Sequence, residues 1–156
     1  MTRWTRLTLP AAAIISVAST PAGAVEYLTV DAAQKLAFPS ATRFVDNGSS
    51  TWKAFAGDKL IGLFVFDRVV GKHLFIDYAV ALDITGKVMR VDILQYRESY
   101  GGEVREAGWL AQFVGKTSSS ALKVGGDIRN ISGATLSSMH VAEGVRKVLS
   151  VYGAKR

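Results

Sequence analysis

LFIDYAVALDITGKVMRVDILQY, residues 74–96, is the stretch on which the fold turns. Leu74 to Asp83 is an apolar run interrupted by Asp77 and rich in β-branched and aromatic side chains, which predicts a strand. Thr85-Gly86-Lys87 supplies a tight turn. Val88 to Tyr96 then alternates, with Met89, Val91 and Ile93 expected on one face and Arg90 and Asp92 on the other. Upstream, Leu60 to Phe66 is a nearly continuous apolar run broken by Gly62, and Thr51 to Phe55 leads into it through the turn signal Gly57-Asp58-Lys59. Strands joined by such short turns predict an antiparallel meander with one buried face.

Helical signals flank this meander. Val30 to Phe38 reads as a short helix, with Thr29 or Asp31 as cap and Pro39 as stop. Glu106 to Val114 places Trp109, Leu110 and Phe113 at helical spacing. Lys116 to Gly126 is a polar loop. Thr135 to Val151 sets Val141, Val145 and Val148 at i, i+4 and i+7, with Gly153 as the stop. No repeat interrupts the pattern. The expected class is α+β, an antiparallel sheet with helices packed on it in a single domain over residues 25–156.

The first 24 residues read differently. Arg3 and Arg6 form a basic start without an acid, Leu7 to Ala18 is mostly apolar or small, and Ala22-Gly23-Ala24 fits a small-x-small cleavage site. That order predicts a signal peptide cleaved after Ala24 and a periplasmic protein. An uncleaved anchor is the alternative, although a spanning helix needs about 20 apolar residues and this run is shorter. The chain contains no cysteine, which excludes a lipoprotein, disulfides, c-type haem, thiolate zinc and iron–sulfur clusters. The net charge of +6 is spread among acids, as in Asp67-Arg68, Arg97-Glu98 and Arg105-Glu106, so nothing points to nucleic acid. The two histidines, His73 and His140, have no carboxylate at ligand spacing and predict no metal site. A catalytic serine is not expected either, because Gly-x-Ser-x-Gly is absent. Any redox role must rest on an organic cofactor.

The stretch with chemistry in it is Asp127 to Ser138, DIRNISGATLSS. A strand or loop ends at Ile131, Gly133 permits a tight turn, and a helix begins at about Thr135. A helix start presents unpaired N–H groups and the positive end of the helix dipole, which together hold a phosphate without any lysine. Small residues at 132–134 would let such a group approach the backbone. The same four residues also make an ordinary turn followed by a cap, and both readings stand at this point.

Ser132-Gly133-Ala134-Thr135-Leu136-Ser137-Ser138 resembles the flavin-attachment motif of the FMN-binding domain family, which includes periplasmic subunits of the sodium-pumping NADH:quinone reductase and of the Rnf complex. In that family the motif reads Ser/Thr-Gly-Ala-Thr before a small or hydroxyl-rich segment. An upstream Glu-Thr-Pro-Gly element has its counterpart in Glu98-Ser99-Tyr100-Gly101-Gly102-Glu103, with Tyr100 in place of proline, and Trp109, Phe113 and Gly115 supply a Trp-x-x-x-Phe-x-Gly run between the two. The resemblance spans about Gly71 to Val148. One position departs: where the family usually has an Asp three residues before the Ser/Thr, this chain has Arg129, and the nearest acid is Asp127.

The resemblance implies FMN held covalently, as a phosphodiester on the Thr135 oxygen, installed from FAD by an FAD:protein FMN transferase with Mg²⁺. It implies an electron carrier or redox subunit rather than a complete enzyme, exchanging electrons with a membrane-bound partner of quinone- or metal-reductase type. Ser132, Gly133, Ala134, Leu136 and Ser137 would surround the attachment point, and Glu98, Tyr100, Trp109 and Leu136 would line the flavin. The rival reading is a flavin-free periplasmic binding or scaffold module in which Ser132 to Thr135 is a helix cap.

Overall fold

A computed structural model describes residues 25–154; the expected leader, residues 1–24, lies outside them. The elements in chain order are β1 (Val25–Glu26), α1 (Val30–Ala37), β2 (Arg43–Gly48), β3 (Thr51–Ala56), β4 (Lys59–Val70), β5 (Phe75–Asp83), β6 (Val88–Tyr96), α2 (Ala107–Leu110) and α3 (Thr135–Tyr152). The strands form one antiparallel sheet in the order β1-β6-β5-β4-β3-β2. The α+β class holds, and the meander of β3 to β6 follows the predicted turns.

The expectation of one buried face does not hold. Seven consecutive residues of β5, Ile76 to Leu82, are buried, because helices cover both sides. On one side α3 packs Val141, Val145, Val148 and Leu149 over Ile76, Tyr78, Val80 and Leu82. On the other, Ala33, Ala37 and Phe38 of the α1 region cover Ala54, Phe64, Ala79, Ala81 and Leu94. A strand dry on both faces reads as a continuous apolar run rather than an alternation. The small alanines of β5 face α1, which therefore approaches closely.

Strand β6 also departs from simple alternation. Leu82 pairs with Val88 and Ala81 with Arg90, leaving Met89 as an extra residue, and Leu94 is skipped likewise between the Asp77–Gln95 and Tyr78–Ile93 pairs. Each bulge resets the facing of the strand. Val88, Val91, Ile93 and Tyr96 thus share the α3 side, Leu94 turns to the α1 side, and Met89 is exposed rather than beside Val91 and Ile93.

The predicted helix over 106–114 is shorter than expected. It makes one turn as α2, tightens into a 3₁₀ turn at Ala111–Phe113, and leaves in an extended conformation at Val114. Its apolar spacing still works, since Trp109, Leu110 and Phe113 all enter the α3-side core. Strand β2 has no counterpart among the predicted elements, because five of its six residues are exposed and it carries no periodic apolar signal. Thr29, and not Asp31, caps α1 by accepting from Ala32 N at 3.2 Å. Among the described residues, no helix is long and apolar enough to cross a membrane.

Candidate functional site

Four segments meet at one end of the sheet: the β4–β5 hairpin, the loop after β6, α2, and the turn that enters α3. The last is built by Ile131 to Ala134, closed by Ala134 N donating to Ile131 O at 3.0 Å. Gly133 takes a φ of 81°, and a Cβ built there would meet no atom within 4 Å, so the outer side of the turn is open. Thr135 is the first residue of α3, and Ala134 occupies the cap position with no side chain bonding to the helix start. The first bonded amide is Ser138 N, to Ala134 O at 2.9 Å. The N–H groups of Thr135, Leu136 and Ser137 precede the ladder and lack an intrahelical acceptor. The helix-cap reading of Ser132 to Thr135 is therefore not what this chain does.

The turn divides into an outward and an inward set. Ser132, Gly133, Thr135 and Leu136 are exposed, whereas Ala134, Ser137 and Ser138 are buried. Ser138 Oγ donates back to Ala134 O at 2.9 Å. Ser137 Oγ lies 3.2 Å from the Tyr96 hydroxyl, which itself donates to the Tyr100 carbonyl. With its own hydrogen committed to that carbonyl, Tyr96 accepts from Ser137. Burial pushes the Tyr96 phenol above its ordinary value; the Ser137 bond opposes this, and the charges of Glu98 and Glu103 add to it. It therefore stays protonated as a fixed strut. Gly101, at φ 86°, fits beside it: a Cβ there would stand 2.7 Å from the Tyr96 hydroxyl and 3.2 Å from Ala134 Cβ.

The remaining contacts brace this corner. Glu98 Oε1 accepts from the backbone N–H groups of His73 and, at 2.8 Å, Leu74. Burial acts to raise the Glu98 pKa, but the combined N–H bonds from Leu74, His73 and Lys72 outweigh it and hold the carboxyl below its usual range. His140 Nδ1 is 2.9 Å from the Gly71 carbonyl; since a carbonyl can only accept, that nitrogen carries the proton. On the far side, Trp109 Nε1 donates to Arg129 O at 2.8 Å, and Arg129 N donates to Gln112 Oε1 at 2.8 Å. Both backbone polar groups of Arg129 are thus clamped by side chains of the α2 region, while its own side chain is exposed and lines a cavity of about 270 Å³ with Glu103 and Glu106.

The FMN-binding domain family matches residues 71–150, just over half of the chain. The chain belongs to that family. No curated protein matches it in addition. The match begins at Gly71, in the turn of the β4–β5 hairpin, and runs to the last turns of α3, so it contains the hairpin turn, the loop after β6, α2 and the turn into α3 and leaves out β1, α1, β2, β3 and β4. The chain is a flavin-binding protein, and FMN is its cofactor.

The residues present fit that cofactor. An uncapped helix start with three amides free of the ladder and an open glycine turn suits a phosphate. Of the side chains expected around it, the structure brings Ser132, Gly133, Ala134, Thr135 and Leu136 together with the Tyr100 loop. Tyr100 is 85% exposed and Leu136 46% exposed, so both present apolar surface outward. Ser137 faces inward to Tyr96, and Glu98 is turned to the hairpin amides. Trp109, 4% exposed and edge-on to Phe113 at 5.2 Å, supports the Arg129 backbone and borders the same cavity as Arg129, Glu103 and Glu106. Tyr96 and Gln112 were not legible as site residues, because strand and helix spacing alone does not tell which loop a side chain will meet.

Proposed function

We propose that this FMN-binding domain is a periplasmic electron carrier holding FMN covalently through a phosphodiester on Thr135, loaded by an FAD:protein FMN transferase and serving a membrane-bound redox partner. The observation that carries the reading is the exposed Thr135 hydroxyl at the first turn of an eighteen-residue helix that no side chain caps. The export part of the reading rests on the leader-like residues 1–24.

In attachment, the Thr135 hydroxyl would be the acceptor of the FMN phosphoryl group from FAD, with AMP as the leaving group and the hydroxyl proton going to a base of the transferase. Threonine is a weak nucleophile without such a base, and no histidine or free carboxylate adjoins Thr135 in the sequence. The domain's own share is positioning. The N–H groups of Thr135, Leu136 and Ser137, with the dipole of α3 behind them, offset the phosphate charge. Gly133 and exposed Ser132 keep the approach open, while Leu136 and Tyr100 offer the apolar surface on which a ring can rest. Bound flavin supplies one- and two-electron exchange. The Tyr96–Ser137–Gly101 contact keeps the two flanking segments in fixed register, so the cofactor would be held against a rigid corner.

The test is intact mass of the exported protein after coexpression with a flavin transferase. Wild type should gain one FMN less one water, and Thr135→Ala should gain nothing. Unmodified wild type beside a competent transferase would overturn the covalent reading and leave a flavin-binding domain with an exchangeable cofactor.

A further inference from the structure

The β4–β5 hairpin ends in an apolar tip that the core does not cover, with the Arg68 guanidinium over the Phe75 ring at 5.5 Å. Val70, Leu74 and Phe75 are 48%, 49% and 47% exposed, on a two-strand ribbon whose next residues inward, Val69 and Ile76, turn to the core. Lys72 and His73 stand between them, also exposed. Such a tip would ordinarily carry polar side chains, and its apolar surface costs stability in water.

Two further observations show what the tip suits. First, its backbone is satisfied from within the protein. Gly71 N donates to Leu74 O at 2.7 Å, Gly71 O accepts from His140, and His73 N and Leu74 N donate to Glu98. A loop that normally relies on water for these bonds would resist desolvation by several kcal/mol per group, and here that obstacle is largely removed. Second, an exposed cation without an ion-pair partner among the described residues, Lys72, stands at the turn itself. The neighbouring charges are engaged: Asp77 is nearly buried between Arg68 and Arg97, Glu98 is held by amides, and Asp67 is bonded to Lys147 and Tyr78.

We propose that the β4–β5 hairpin is a lipid-docking tip that places Val70, Leu74 and Phe75 in the headgroup boundary of an anionic bilayer, with Lys72 on the lipid phosphates. A projecting apolar tip with an exposed lysine at its turn matches such a surface, whereas a protein partner would have to offer a pocket to a convex ribbon. The hairpin adjoins α3 through the His140–Gly71 bond, so docking brings the Thr135 corner to the membrane surface. The inference does not depend on flavin attachment.

Exported, purified protein would be sedimented with phosphatidylcholine vesicles, with or without phosphatidylglycerol. Wild type and Thr135→Ala should bind the mixed vesicles equally and the neutral ones weakly, with binding falling as salt rises. The double change Leu74→Ser with Phe75→Ser should weaken binding about tenfold or more, and Lys72→Glu, which alters an exposed side chain alone, about fivefold or more. If the double variant fails to fold, Lys72→Glu and a Val70→Trp probe, whose added emission should shift to the blue on mixed vesicles, still decide the matter. Absence of binding to mixed vesicles, binding unchanged by these substitutions, or capture only by membranes carrying protein would overturn the proposal, the last in favour of a protein receptor.

Discussion

At Tyr96 one phenolic oxygen joins segments 41 residues apart, accepting from Ser137 at the start of α3 and donating to Tyr100 in the loop after β6. Tyr96→Phe leaves the buried Ser137 hydroxyl and the Tyr100 carbonyl without that partner while keeping the ring in the core. An unsatisfied buried polar group costs about 1–3 kcal/mol, and urea denaturation of the variant should register a loss of that size. Flavin loading at a fixed transferase concentration should slow as well, because the corner presenting Thr135 loosens. A stability loss with loading unchanged would reduce Tyr96 to a structural role. Thr135 itself was legible, since its neighbours are local and small. Tyr96 was not, since its partner is set by tertiary packing.

The seating of α3 on the sheet is decided at the level of elements. Gly144 lets the helix lie over Tyr78, where a Cβ would fall 2.5 Å from the hydroxyl and 2.9 Å from Val69 Cγ1. Burial, reinforced by the charge of Asp67 and its hydrogen bond, pushes the Tyr78 phenol well above the ordinary tyrosine range, so it stays protonated and donates to Asp67 at 3.2 Å. Gly144→Ala should therefore cost about 1–3 kcal/mol through overpacking, despite alanine's better helix propensity. Thermal unfolding against the exposed Arg146→Ala as control, expected to change by about 0.5 kcal/mol or less, checks this. The periodicity of Val141, Val145 and Val148 was enough to place the buried stripe of α3. Its glycine reads from sequence as a mild fault in a helix and becomes meaningful only opposite Tyr78.

For the whole molecule, three carboxylates tie loops to the frame, and together they set its response to acid. Asp127 accepts from Lys123 N at 2.7 Å, Lys116 Nζ at 3.0 Å and Leu122 N at 3.1 Å, and its pKa falls from 3.8 to about 2. Burial works to raise Glu98 and Asp83, but the N–H bonds to Glu98, and the Thr85 and Lys87 bonds to Asp83, prevail and lower both. Each folded value lies below the unfolded one. Their stabilisation is therefore complete above the unfolded values, 4.5 for Glu98 and 3.8 for the two aspartates, and is lost as pH falls below them, for Asp127 as it approaches about 2. The melting temperature should stay nearly level from neutrality to about pH 5 and decline below it. Asp127→Asn should lower the plateau and flatten the decline; a decline of unchanged slope would remove Asp127 as a contributor.

The sequence by itself determined the strand meander, the helices α1 and α3, and the glycine-led turn into α3 with Thr135 at its start. Each of these depends on periodicity or on residues within a few positions of one another. Tertiary structure decided that β5 is dry on both faces, that bulges at Met89 and Leu94 redirect β6, and that Trp109 braces Arg129. It also decided that Glu98 serves the hairpin and that Tyr96 locks the corner around Thr135. Those outcomes depend on which surfaces meet across long separations in the chain, where one hydrogen bond or one absent Cβ selects among arrangements that local propensity leaves equal.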